Sequence, residues 1–324
     1  MGETVAENFR LETEEVAGAA EGQLLLKTLY LSLDPYMRGR MSDGPSYAAP
    51  VEIGAIMTGG TVCEVVESGS PDFAPGDIVQ AFSGWQEYSL VPAKGTRKIN
   101  PSLAPVSTAL GVLGMTGMTA YFGLLRLGEP KPGETVVVGA ASGAVGSAVG
   151  QIAKIKGCRV VGIAGGAVKC DYVVKELGFD VCLDHHSATL KHDLKAACPD
   201  GIDVYFENVG GAVFEAVLPL MNNFGRIPVC GLIAGYNATG LPEGPDRSPL
   251  LMRSILTKRL RVQGFIVSDF GASAGEFFRD MSEWFRLGRM KYREDVVEGI
   301  ENAPAAFIGM LQGRNFGKLL IKMG

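Results

Sequence analysis

Histidine is scarce in this chain. Of 324 residues only His185, His186 and His192 are histidine, and all three fall within one short stretch. The six cysteines (Cys63, Cys158, Cys170, Cys182, Cys198, Cys230) form no CxxC pair. A catalytic zinc needs three Cys, His or carboxylate ligands and an open fourth position. The N-terminal third offers Cys63 and no histidine, so a zinc ion between two domains lacks ligands and no metal is expected. The thiols are expected to be reduced and at least partly buried, as in an intracellular chain. No apolar run reaches the length of a membrane span, and no segment repeats at solenoid period. The opening MGETVAENFRLE is polar and acidic, unlike a signal or transit peptide. A cytoplasmic location without membrane contact is expected. An excess of positive charge is missing too: the net charge is −5, which argues against a nucleic-acid partner. What remains is 47% hydrophobic and 20% charged residues, enough for a full core in one large or two ordinary domains.

The most informative stretch is TVVVGAASGAVGSAVGQ, Thr135 to Gln151. A β-branched run, Thr135 to Val138, reads as a buried strand. Gly139, Gly143 and Gly146 follow, and then a helix-compatible run. A strand turning on glycines into a helix lets the backbone approach a pyrophosphate, with the helix N–H groups and dipole facing the anion. Tight turns also need glycine for steric reasons alone, so context decides. Here a second strand, 159–164, arrives at βαβ spacing. Ala140 stands where the common pattern has its first glycine.

Beyond this turn, strands and helices alternate. Strands are expected at 135–140, 159–164, 181–183, 203–208, 225–231 and 259–267, with helical crossovers between them, which makes a doubly wound, Rossmann-type parallel sheet of six strands in an α/β fold. The opening third is different. Strands at 23–34, 55–66, 77–82 and 85–91 are separated by turn-rich SGSP and APGD, which suggests a β-rich, barrel-like domain. The tail carries a helix near 303–312 and a last strand at 317–322. Because the parallel sheet is already complete, the tail is assigned to the first domain. The expected domains are therefore 1–112 with 288–324, and 113–287.

NAD enzymes usually place an acid at the end of the second strand to hold the ribose hydroxyls. Here that end reads AGGAVK, Ala164 to Lys169, with two glycines and a cation instead. Lys169 is either a solvated lysine or a ligand for a 2′-phosphate. A cation near a helix N-terminus is mildly unfavourable, and a phosphate role would compensate, so NADPH is the expected cofactor. His185 and His186 are either surface residues or, for His185, part of the same phosphate pocket. Asn208, after the fourth strand, either reaches the cofactor or caps the next helix.

Without a Lewis acid, hydride addition to a conjugated C=C is the accessible chemistry, because the resulting enolate oxygen needs only hydrogen-bond donors. A phenol is a suitable donor. Tyr236 lies on the loop after the fifth strand, where such sheets hold ligands, and is either that donor or a packed side chain. Tyr36, beside Arg38, is a second candidate.

Read together, ENFRLE, LYLSLDPYMRGRM, WQEYSLVPA, LGMTGMTAYFGL, GAASGAVGSAVGQ, LGFDVCLDHH, GIDVYFENVGG, GRIPVCGLIAGYN and GRNFGKLLIK resemble the zinc-free medium-chain reductases of the prostaglandin reductase/leukotriene B4 dehydrogenase group. The LDHH wording is similar to its bacterial NADPH-dependent curcumin reductase branch. The resemblance implies a GroES-like first domain and NADPH-dependent reduction of α,β-unsaturated ketones or aldehydes. Within it, Gly143, Ala144, Val145 and Gly146 would hold the pyrophosphate, and Lys169 with His185 the 2′-phosphate. Thr119, Asn208, Cys230, Gly231, Ile233, Phe265, Val267 and Asn315 would surround the ribose and nicotinamide. Tyr236 would orient the carbonyl and assist protonation. A quinone reductase and a non-catalytic NADPH sensor are the alternatives. A homodimer is expected through the sixth strand, whose open edge needs cover.

Overall fold

The computed structural model describes residues 2–240 and 244–324. The chain divides into two compact units: one runs to Gly114 and includes Glu294–Gly324, and the other is Met115–Arg293. In chain order the first unit begins with β1 (Gln23–Ser32), β2 (Thr61–Ser68), β3 (Ile78–Ala81), β4 (Tyr88–Pro92) and β5 (Arg97–Lys98). The second holds β6 (Thr135–Gly139), β7 (Arg159–Ala164), β8 (Val181–Asp184), β9 (Ile202–Phe206), β10 (Met221–Val229) and β11 (Arg261–Gly264). The chain then returns to the first unit with β12 (Glu294–Glu298) and β13 (Lys318–Lys322).

In the first unit the strand order is β12-β13-β1-β2-β3-β5, and β4 also pairs with β1. The register of β1 against β2 shifts at Leu25/Leu26 and at Thr28/Tyr30. Such shifts bend a strand. β1 can thus pair with β4 along Gln23–Lys27 and with β13 along Tyr30–Ser32. Leu31, Leu33, Met37, Phe307, Leu319 and Ile321 pack into one core beneath this sheet. Inside the same region lies an ion pair. Lys318 Nζ donates to Asp34 Oδ1 at 2.8 Å and to the Leu33 carbonyl at 2.7 Å, with the two side chains 4% and 6% exposed. Ser32 Oγ donates to the other oxygen of Asp34. The returning tail therefore fastens the chain just before Pro35 and Tyr36.

Expectations for this unit change: β4 starts at Tyr88 and not at residue 85, and the short β5 was not anticipated. The strand expected from residue 55 starts at Thr61. The chain just before it still runs close along β1: the Gly60 carbonyl accepts the Ser32 N–H at 2.9 Å, and a Cβ on Gly59 would lie 2.8 Å from Leu31 Cδ1. β12 was not anticipated. Its sequence, EDVVE, is acidic at both ends and half-exposed, and it becomes a strand by parallel pairing with β13.

The second unit is the expected sheet of six parallel strands, in the order β11-β10-β9-β6-β7-β8. Every residue of β6 is buried, as a central parallel strand covered on both faces requires. Val137, Val161, Ile163, Ile202, Tyr205 and Ile227 carry the core between strands and helices. β11 is shorter than the expected 259–267 and all four of its residues are exposed. Phe265 instead turns inward, edge-on to Phe206 at 6.2 Å, and Val267 opens a 3-10 turn, Val267–Ser273.

Removing one partner from a buried ion pair leaves an uncompensated charge, at a cost of roughly 3–5 kcal/mol. Lys318→Met should therefore lower unfolding free energy by about that amount in urea denaturation. A loss under about 1 kcal/mol would place the pair among the weak ones.

Candidate active site

The glycine turn after β6 is tightly built. Ala140 adopts a left-handed backbone (φ 51°), unusual for a residue with a Cβ. Its carbonyl accepts the Gly143 N–H at 2.9 Å. A Cβ on Gly146 would sit 2.3 Å from that same oxygen, so only glycine fits. The helix Ala144–Ile155 starts from Gly143 with no side-chain cap. Ser147 N–H is bonded to the Gly143 carbonyl at 3.0 Å. The N–H groups of Ala144, Val145 and Gly146 precede it and have no acceptor within the helix. These donors, at the positive end of the helix dipole, fit a pyrophosphate.

A basic cluster forms at the ends of β7 and β8. After Ala164 the chain turns through Gly165 and Gly166 (φ 82°) into the helix Ala167–Lys175, with half-buried Lys169 in its first turn. β8 ends at Asp184, whose Oδ1 accepts the N–H groups of Gly166 at 2.9 Å and His186 at 3.0 Å. Those two bonds hold its carboxyl below the usual range. The rings of His185 and His186 lie 4.0 Å apart. Both lean over Gly165, where a Cβ would be 3.0 Å from His185 Nε2 and 3.3 Å from His186 Nε2. Desolvation, then the neighbouring His186, pull His185 below the ordinary histidine pKa; Asp184 opposes them and Lys169 adds to them.

A residue that the sequence reading passed over organises the third element of the site. Glu207, 1% exposed, accepts at Oε1 from Tyr205 OH at 2.9 Å, Val209 N–H at 2.6 Å and Gly210 N–H at 2.8 Å. Its own carbonyl takes the N–H groups of Cys230 and Gly231. Burial raises its pKa, and the backbone bonds only partly reverse this. The signal in the sequence was an acid directly after an apolar strand and three residues ahead of a Gly-Gly pair. Burial, with Glu207 adding to it, pushes the Cys230 thiol up to about 12.

Asn208 does not cap the next helix, whose N-cap is Gly210. Its Nδ2 donates to the Gly139 carbonyl at 2.8 Å, and its own carbonyl accepts the Ile233 N–H at 3.3 Å. The end of β6, the turn after β9 and the Cys230–Tyr236 loop are thereby joined. On that loop Tyr236 is half-buried, and its hydroxyl accepts the Leu232 N–H at a long 3.4 Å.

The remaining candidates are more dispersed. Thr119 Oγ1 bonds back to the Met115 carbonyl of its own helix at 2.8 Å. The ring of Phe265 belongs to an aromatic cluster with Phe206 and Phe270. Asn315 and Tyr36 lie in the first unit. Asn315 Nδ2 donates to the Gly317 carbonyl at 2.9 Å. The Tyr36 hydroxyl is buried, with Thr58 near it but not in hydrogen-bonding geometry. Burial first, and then the Asp34 charge, push that phenol well above its ordinary value. Among the described residues no three His, Cys, Asp or Glu side chains gather as a metal-ligand set.

Residues 1–99 match the family described as the N-terminal domain of oxidoreductase, and residues 144–286 that described as zinc-binding dehydrogenase. The chain is 58% identical over 323 residues to the NADPH-dependent curcumin reductase of Escherichia coli (strain K12), covering 99% of this chain and 94% of that one. It is 46% identical over 320 residues to prostaglandin reductase 1 of Rattus norvegicus, covering 97% and 94% respectively. Among solved structures, CurA in complex with NADPH from Vibrio vulnificus is similar with a TM-score of 0.96 at 54% identity, covering 100% of this chain and 96% of that one.

Glu207→Ala strands the buried Tyr205 hydroxyl and two N–H groups, and should cost about 3 kcal/mol of stability. Glu207→Gln keeps an acceptor oxygen and should cost far less. Because the folded pKa of Glu207 lies above the ordinary 4.5, the stability it contributes is full below that value and is lost as pH rises through the folded pKa. The Gln variant should therefore gain on the wild type as pH rises, in denaturation curves followed across pH. A constant difference would contradict the burial.

Proposed function

Because the chain belongs to the medium-chain reductase family that contains the curcumin reductases and prostaglandin reductase 1, we propose that it reduces the C=C bond of α,β-unsaturated ketones and aldehydes with NADPH. The observation that carries this reading is an arrangement at the carboxyl end of one parallel sheet. An uncapped helix N-terminus, a basic cluster and a phenol-bearing loop follow β6, β7/β8 and β10 in turn.

NADPH, when bound, supplies the hydride for the β-carbon. The N–H groups of Ala144, Val145 and Gly146 hold its pyrophosphate, and Lys169 with His185 holds the 2′-phosphate. Asn208 and the Cys230–Ile233 segment, tied together through Asn208 and Glu207, form the rigid wall on which the nicotinamide end rests. Thr119, Phe265 and Val267 are assigned to the same end. Tyr236, whose hydroxyl oxygen accepts the Leu232 N–H, donates its O–H proton to the substrate carbonyl oxygen. That bond strengthens as negative charge grows on the oxygen, which is the condition for lowering the barrier. The α-carbon then receives a proton from Tyr236 or from water.

The proposal includes a homodimer in the cytoplasm. β11 ends the sheet with all four residues exposed. The helix leading into it, Ser248–Lys258, buries none of its residues and exposes Leu250, Met252 and Leu256. A second copy would cover both features. Six free cysteines support a reducing compartment.

Tyr236→Phe should lower kcat on an extended enone at least about tenfold, with the KM for NADPH within about twofold; equal losses in both would remove Tyr236 from the chemistry. Lys169→Ala should weaken NADPH and leave NADH unchanged. Light scattering should report twice the 34.3 kDa chain mass; a monomer would refute the dimer.

A further inference from the structure

We propose that His185 and His186 act together as a proton-coupled reader of the 2′-phosphate, so that preference for NADPH over NADH sharpens as pH falls. The inference rests on NADPH being the cofactor.

Both Nε2 atoms converge on one small turn. They lie 3.0 and 3.3 Å from where a Gly165 side chain would begin, and the rings are 4.0 Å apart with a 40° tilt. The charged groups facing His185 are His186, Asp184 and Lys169. Asp184 Oδ1 is taken up by the backbone N–H groups of Gly166 and His186. The neighbouring His186 ring disfavours a proton on His185, and Lys169 adds to that. The free protein therefore tends to leave the His185 ring short of one donor. A phosphate dianion over Gly165 reverses the balance. It rewards a proton on the pair with charge-assisted hydrogen bonds, and the histidine pKa rises on binding. By linkage, affinity for the phosphorylated cofactor then grows as pH falls through the raised value, near or above the ordinary ~6.5. NADH, lacking the phosphate, has no such coupling.

The test is calorimetric titration of the full-length protein with NADPH and with NADH, in buffers of different ionisation enthalpy. This counts protons taken up without reference to turnover. The phosphate releases its own residual proton, since its second pKa is about 6. The double variant His185→Gln/His186→Gln retains that term, so the difference from wild type isolates the imidazoles. Both rings are at the surface, so the variants should fold, and thermal melting checks this. Wild type should take up roughly half a proton more than the double variant on binding NADPH at about pH 7, with no difference for NADH. Each single variant should lose part of the uptake. Equal proton counts in wild type and double variant, with NADPH still preferred, would overturn the proposal alone. Full loss in His185→Gln with none in His186→Gln would overturn the pairing. NADPH binding no tighter than NADH in wild type would overturn the cofactor reading and this proposal with it.

Discussion

One carboxyl oxygen, Oε1 of Glu207, gathers the turn after β9 at the root of the loop that carries Tyr236. It draws in the Tyr205 hydroxyl and the N–H groups of Val209 and Gly210. The backbone of the same residue bonds Pro228, Cys230 and Gly231. The ends of β9 and β10 are therefore locked in register, and the loop that carries Tyr236 has a fixed origin. The constraint reaches the first glycine turn as well. A Cβ on Gly139 would lie 3.1 Å from both the Tyr205 hydroxyl and Val209 Cγ2, so the glycine ending β6 answers to Glu207 through its neighbours. Burying a carboxyl is costly; three donors at one oxygen offset part of that cost, while the buried Oε2 has no hydrogen-bond partner.

The turns after β6 and β7 are built with different chemistry. After β6, the left-handed Ala140 and the close approach of Gly146 bring a helix start next to the strand, and no side chain occupies its N–H groups. After β7, the acid that would meet a ribose hydroxyl is missing at the strand tip. Asp184, one strand over, is committed to the backbone of Gly166 and His186 instead. A carboxylate is thus present in the neighbourhood, but one of its oxygens is taken up by the backbone of the turn, beside two exposed imidazoles.

Most of the second unit was legible because its signals are local. β-branched runs bounded by glycines gave six strands, and the turns between them carried the motif residues. Signals that depend on distant partners were not. β12 is acidic and becomes a strand only beside β13. The apolar Phe265 and Val267 suggested a longer sixth strand, but the ring of Phe265 finds Phe206 instead. An acid after an apolar strand reads as a solvent-facing end; only the assembled sheet shows that Glu207 is enclosed and that its donors come from three separate positions. The choice for Asn208, between cofactor contact and helix cap, could not be made locally either, because its partner Gly139 is sixty-nine residues away.

The cysteines bear on the same chemistry. A conjugated β-carbon accepts a thiolate as readily as a hydride, so a protein that handles such electrophiles is exposed to alkylation at any ionised cysteine. All six thiols here are buried or half-buried, and burial pushes every one above its ordinary pKa. Cys230 is the telling case. It sits at the root of the loop that carries Tyr236, and there burial is reinforced by the adjacent Glu207. The carboxyl that holds the root of the loop thus also helps to keep this thiol protonated.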